Sequence, residues 1–210
     1  MISNVIILGC GRSGTSIFGE LFEHLRPFRY YFEPCFDTVR AIDFSAGPVA
    51  IKVPKMPYRG PVTPGLTVCI EDLLAVVPEP RAIFWQVRHP LDTICSLRPG
   101  ILDKWSHSPR PPDWAQWMNR SLVERCARHW QFINTEGYAA VRDFATVSQY
   151  ERLACTPNEF AVDICARIGF PAGEAAAGPA NWAAMPIPMK PPLCSEMIAP
   201  PVSGMISPPV

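Results

Sequence analysis

The stretch Ile7–Ser16 reads ILGCGRSGTS. Gly9 and Gly14 stand at the separation of the phosphate-binding pattern G-x-x-x-x-G-K-[ST], but Thr15 occupies the lysine position. In nucleoside-triphosphate enzymes that lysine reaches the outer phosphates, and the hydroxyl residue after it holds magnesium. Here the nearby cation is Arg12, whose guanidinium forks onto oxyanions and cannot act as a base. Consecutive backbone N–H groups at the start of a helix, joined by the hydroxyls of Thr15 and Ser16, make an anion cradle. The loop therefore suits an anionic group without being built for ATP hydrolysis. A glycine turn with no ligand is the plain alternative.

Outward from the loop, Asn4–Gly9 (NVIILG) is a short continuous apolar run, as expected of a strand buried on both faces of a parallel sheet. On the other side, Ile17, Leu21 and Leu25, with Phe18 and Phe22, recur at helical spacing and predict a helix over Ser16–Leu25. Strand, glycine loop and helix open an α/β nucleotide-binding domain. Val49–Pro54 and Arg81–Val87 read as further strands, and His89–Leu97 as a helix start with proline in its first turn. Asp113–Tyr138 reads as one long helical stretch with Trp117, Leu122, Cys126, Trp130 and Ile133 inward. Ala145–Gln149 reads as a last strand, and Asn158–Phe170 as a helix capped at Thr156 or Asn158 and stopped at Gly169.

The chain has 210 residues, zero formal net charge and 48% hydrophobic residues, which suits one soluble domain with a substantial core. No overall basic field argues for nucleic acid or an anionic membrane. No run approaches the ~20 apolar residues of a membrane span, and Val5–Leu8 is too short for a signal peptide. The eight cysteines show neither C-x-x-C nor zinc spacing and read as reduced thiols of a cytoplasmic protein. Eight prolines lie between Met185 and Val210, so a domain over 1–184 is expected with a proline-rich tail over 185–210.

A second segment narrows the ligand. In VRHPLDTICS, Val87–Ser96, Arg88 ends a strand and Ser96 lies on the following helix, one turn beyond Asp92. Both can face the carboxyl edge of the sheet, where open α/β folds collect their ligands. The plain alternative is a structural ion pair at Arg88 and an exposed serine.

Together the two segments resemble the sulfotransferase family, which uses 3′-phosphoadenosine 5′-phosphosulfate (PAPS). GRSGTS is similar to the R-S-G-T-[ST] loop of its carbohydrate and tyrosylprotein branches. VRHPLDTICS is similar to its V-R-[DNH]-P-x-D-x-x-x-S segment, and VSQYERL, Val147–Leu153, to a strand and turn that follow the family's long helix. The resemblance covers roughly residues 4–170. The R-K-G-x-x-G lid of cytosolic members has no counterpart. The resemblance implies a three-layer, P-loop-like parallel sheet flanked by helices. It also implies a cytoplasmic, bacterial-type enzyme with PAPS as co-substrate and no required metal.

By the same resemblance, Gly11, Arg12, Ser13, Gly14, Thr15 and Ser16 hold the 5′-phosphosulfate, while Arg88 and Ser96 hold the 3′-phosphate. Glu33 in YYFEPCF is the implied base for the acceptor hydroxyl, its basicity raised by burial among Tyr30, Tyr31, Phe32 and Phe36. Lys52, with Lys55 as alternative, faces the transferring group. His107, in SHSPRPP, is the rival base. Trp105, Trp114 and Trp117 line an acceptor pocket or belong to the core. The acceptor stays open among carbohydrate, tyrosine and small-molecule hydroxyls. A P-loop kinase or NTPase, and a non-catalytic nucleotide-binding protein on the same fold, are the competing readings.

Overall fold

The computed structural model describes Ile2 to Pro171. The expected boundary at 184 and the proline-rich tail lie outside the described residues.

β1 (Asn4–Gly9) leads through the glycine loop into α1 (Thr15–His24). Then come β2 (Arg29–Phe32), α2 (Phe36–Arg40), β3 (Val49–Lys52), α3 (Ile70–Val76), β4 (Arg81–Val87) and α4 (Pro90–Ile101). After these follow α5 (Trp114–Trp117), α6 (Leu122–Phe132) with a π turn (Ile133–Gly137), β5 (Ala145–Gln149), α7 (Tyr150–Cys155) and α8 (Pro157–Arg167). The strands form one sheet in the order β2-β3-β1-β4-β5, and every neighbouring pair is parallel. This is the expected α/β architecture.

The period of two along each strand divides the core between the two faces. Val5, Ile7, Ala50 and Phe84 point toward α1, α7 and α8, where Phe18, Leu21, Phe22, Leu153, Phe160 and Ile164 cover them. Ile6, Leu8, Ile51, Ile83 and Trp85 point the other way, under side chains of α2, α3, α4 and α6. Because both faces are covered, β1 and β4 consist almost wholly of apolar residues. The chain leaves β1 toward β2 on one side and β4 toward β5 on the other. The carboxyl ends of β1 and β4 therefore flank the point where the strand order reverses, which is where such sheets form a crevice.

The structure departs from the expected elements in several places. The strand β2 and the short helices α2 and α3 join those anticipated, and α7 forms where a turn was expected. The long helix expected over Asp113–Tyr138 is broken: α6 begins afresh after Ser121, whose hydroxyl accepts from the Glu124 N–H while the Glu124 carboxylate accepts from the Ser121 N–H. This reciprocal cap satisfies two of the orphan donors of the new helix. The same helix ends in the π turn, where Gly137 packs against Gly65. Among the described residues, Cys10, Cys35, Cys69, Cys126, Cys155 and Cys165 are free thiols.

Removing the cap should be felt globally. Ser121→Ala should lower the unfolding free energy by about 1 kcal/mol, read as a lower urea midpoint at unchanged slope.

Candidate functional site

The loop is fastened before it is shaped. β1 pairs with β4 up to Gly9 opposite Gln86. A Cβ at Gly9 would lie 2.5 Å from the Gln86 carbonyl oxygen, so only glycine lets the two strands stay this close at the bend. Ser13 Oγ then donates to that same carbonyl at 3.1 Å and to the Cys10 carbonyl at 2.6 Å. Gly14, at φ 89°, ends the loop; a Cβ there would come 2.2 Å from the Tyr150 ring. α1 starts at Thr15 with no acidic residue in its first turn and no side-chain cap, which leaves its N-terminal amides available to an anion.

Over this loop lies a cavity of about 380 Å³. Gly11, Arg12, Thr15, Ser16, Glu33 and Lys52 line it, so six of the expected site residues converge on one space. Val53, Lys55, Met56, Thr67 and the Ser106–Ser108 loop complete its walls. Ser13 belongs to the scaffold: its hydroxyl serves Gln86 and Cys10, and its amide donates to the Cys10 carbonyl at 3.1 Å. Both donors are thus engaged within the chain. Gly14, Arg88 and Ser96 lie off the cavity wall.

Arg88 and Ser96 nonetheless reach the loop. Arg12 Nε donates to Ser96 Oγ at 3.0 Å, and an Arg88 Nη1 donates to the Arg12 carbonyl at 3.4 Å. The Arg88 guanidinium lies 4.5 Å from the centre of the Tyr150 ring, the ring that also packs on Gly14. Its Nε is buried without a partner. The Glu151 carboxylate accepts from the His89 N–H at 2.7 Å, which ties the start of α4 to α7. Tyr150 and Glu151 fall inside VSQYERL; the segment is visible in the sequence, whereas the packing of its tyrosine on the loop is not.

At the other end, Lys52 terminates β3 and is only 3% exposed. Its ammonium donates to Ser16 Oγ at 3.0 Å and forms a short ion pair with Glu33. Burial holds the Lys52 ammonium below the usual lysine range and Lys55 adds to this, while the bond to Glu33 works the other way. Lys55 is 68% exposed and stands 3.7 Å from the second Glu33 oxygen. Glu33 is thus flanked by two cations. Among the described residues, the non-glycine residues with positive φ are Arg12 (70°), Glu33 (42°), Val53 (24°) and Trp105 (43°). The first three line the cavity and the fourth precedes Ser106. Such conformations cost of order 1–3 kcal/mol each and cluster at ligand-binding sites.

His107 enters the cavity from the loop after α4 and faces Gly11. Burial, helped by the Arg12 charge, holds its imidazole below the usual range, against a bond with the Leu97 backbone. Behind it, Trp105 Nε1 donates to His129 Nδ1 at 3.2 Å, and the His107 and His129 rings lie 5.7 Å apart. Trp105 is fully buried, and neither it nor Trp114 or Trp117 lines the cavity, so all three are core or edge-of-core residues. Ser106 and Ser108 flank His107 within SHSPRPP, the loop expected to cover the acceptor site, whereas Met56 and Thr67 were not anticipated. They sit in irregular loops, where periodicity carries no signal.

Among the described residues there is no group of three or more His, Cys, Asp or Glu side chains suited to a metal, and no helix long and apolar enough to cross a membrane. No protein-family model matches the chain, and no curated protein sequence matches it. In fold it is similar to a crystal structure of mouse sulfotransferase SULT7A1 complexed with PAP, with a TM-score of 0.53 and 16% sequence identity. The match covers 86% of this chain and 63% of that one, so the chain spans less than two thirds of that protein's length. At this identity the likeness is one of fold.

The buried histidine gives a pH test. Burial pushes His129 down to about 3 from 6.5, so between these values the unfolded chain binds the proton that the folded chain refuses. Stability therefore falls as pH drops below 6.5. Urea unfolding at pH 7 and 5.5 should give a lower free energy at 5.5, and His129→Gln should shrink that difference.

Proposed function

We propose that this chain is a sulfotransferase that moves the sulfuryl group of PAPS to a hydroxyl acceptor. The observation that carries the reading is the Arg12–Ser96 hydrogen bond of 3.0 Å, which joins the GRSGTS loop to the VRHPLDTICS segment across 84 residues. The pairing of a 5′-anion loop with a strand-end arginine suits a nucleotide bearing anionic groups at both ends. The likeness in fold to a sulfotransferase complexed with PAP adds support.

In this scheme Arg12 and the amides of Gly11, Thr15 and Ser16 surround the sulfated 5′-phosphate, and Arg88 with Ser96 takes the 3′-phosphate. The acceptor oxygen attacks sulfur in line. The new O–S bond forms as the bond from sulfur to the phosphate oxygen breaks, and adenosine 3′,5′-bisphosphate leaves. Charge grows on that phosphate oxygen, where preorganised donors count most. Lys52 passes from Glu33 to the sulfuryl or leaving oxygen, which frees the Glu33 carboxylate to accept the hydroxyl proton. The scheme contains no metal. His107 supports a second assignment of the base: it lines the same cavity, and its lowered basicity keeps the imidazole neutral and able to accept a proton at pH 7.

Adenosine 3′,5′-bisphosphate should raise the melting temperature without magnesium; stabilisation by ATP-magnesium alone would point to the kinase or NTPase reading. Arg88→Ala should weaken bisphosphate binding at least tenfold, about 1.4 kcal/mol, by titration calorimetry. Glu33→Gln should bind the bisphosphate normally yet turn over far more slowly. Normal turnover in Glu33→Gln with loss in His107→Asn would assign the base to the histidine.

A further inference from the structure

A second cavity, of about 300 Å³, lies between β5 and α8. Phe84, Phe160 and Ile164 give it an apolar floor. Arg152 from α7 and Arg167 from α8 stand on its rim, each half exposed. Both converge on one Asp163 oxygen, each at 3.2 Å. A guanidinium carries five N–H donors, so one bond apiece to Asp163 leaves most of both forks open. Two cations against one carboxylate also leave the rim with net positive charge.

The wall between rim and floor is polar where packing alone would favour an apolar side chain. Ser148 lines the cavity, is 6% exposed, and its Oγ has no partner. Gln86, its register neighbour on β4, is fully buried with both amide atoms unpartnered. Buried polar groups are rarely left unsatisfied, and those that are call for an explanation. Here two adjacent strands present such groups to the same face.

We propose that the cavity between β5 and α8 binds a compact organic carboxylate, at a site separate from the Arg12–Lys52 cavity. The carboxylate bridges Arg152 and Arg167 with charge-assisted hydrogen bonds. The body of the ligand lies on Phe84, Phe160 and Ile164, and Ser148 faces it from the wall. The volume sits at the lower end of the roughly 300–1,000 Å³ typical of small-molecule pockets, which limits the ligand to about the size of one ring.

Benzoate is a suitable probe, with benzyl alcohol as the neutral match and inorganic phosphate as the anion without a body. Titration of the full-length, isotope-labelled chain followed by amide NMR should show saturable shifts at Ser148, Arg152 and Arg167 with benzoate. Benzyl alcohol and phosphate should each bind at least tenfold more weakly. The double variant R152Q/R167Q should lose benzoate binding at least tenfold at an unchanged melting temperature. Ser148→Leu, which fills the cavity without touching the charges, should abolish it. The proposal is overturned if benzoate fails to saturate in the millimolar range, if its shifts fall only around Arg12 and Lys52, or if benzyl alcohol or phosphate binds equally well. Binding that survives in Ser148→Leu would overturn it too.

Discussion

The carbonyl of Gln86 organises the loop. It accepts the Ser13 hydroxyl, and it lies so close to Gly9 that no side chain can stand there. These two demands pin the turn after β1 onto the end of β4, at the point where the strand order reverses. With Ser13 held inward, Arg12 takes a positive φ and reaches Ser96 on the far side of the crevice. Gly14 then allows the Tyr150 ring to close on the loop, and the same ring carries the Arg88 guanidinium. A single carbonyl thus links β1, β4, α1, α4 and α7 at one edge of the sheet. Ser13 serves this scaffold, while Arg12 beside it faces the cavity.

The far wall follows a different logic. Lys52 is nearly inaccessible, yet it is a charge, and a buried charge is tolerated only when paired and hydrogen-bonded. Glu33 and Ser16 meet that need in the structure described here. In the proposed reaction, an incoming oxyanion would compete with Glu33 for the same ammonium. The pair is therefore suited to exchange partners when an anion enters, and positive φ at Glu33 and Val53 marks how tightly the backbone is bent to form it.

Much of this was legible in the sequence, for physical reasons that differ by element. β1 and β4 read clearly because they are buried on both faces and carry continuous apolar runs. α1 read clearly because its inward stripe is regular. β2 did not, since RYYF is a four-residue edge strand with Phe32 exposed. α2 and α3 are too short for a periodic signal, at five and seven residues. The break before α6 was written in Ser121 and Glu124, a capping pattern inside a longer helical run. Of the candidate site, Arg12, Glu33 and Lys52 were legible through local pattern and family resemblance, and they share one cavity. The pairing of His107 with His129 was not, because it joins an irregular proline-rich loop to a helix and depends on the fold. Nor could local sequence reveal that Ser13 uses both donors internally.

The central claim is group transfer, and transfer of radiolabelled sulfate measures it directly. The purified chain would be incubated with labelled PAPS and a mixed panel of saccharide, tyrosyl-peptide and small-molecule hydroxyl acceptors. The account predicts label on at least one acceptor class, formation of adenosine 3′,5′-bisphosphate in equal amount, and loss of both in Arg12→Ala. Tight binding of the bisphosphate with no label transferred to any acceptor would contradict it and leave a nucleotide-binding protein on a sulfotransferase-like fold.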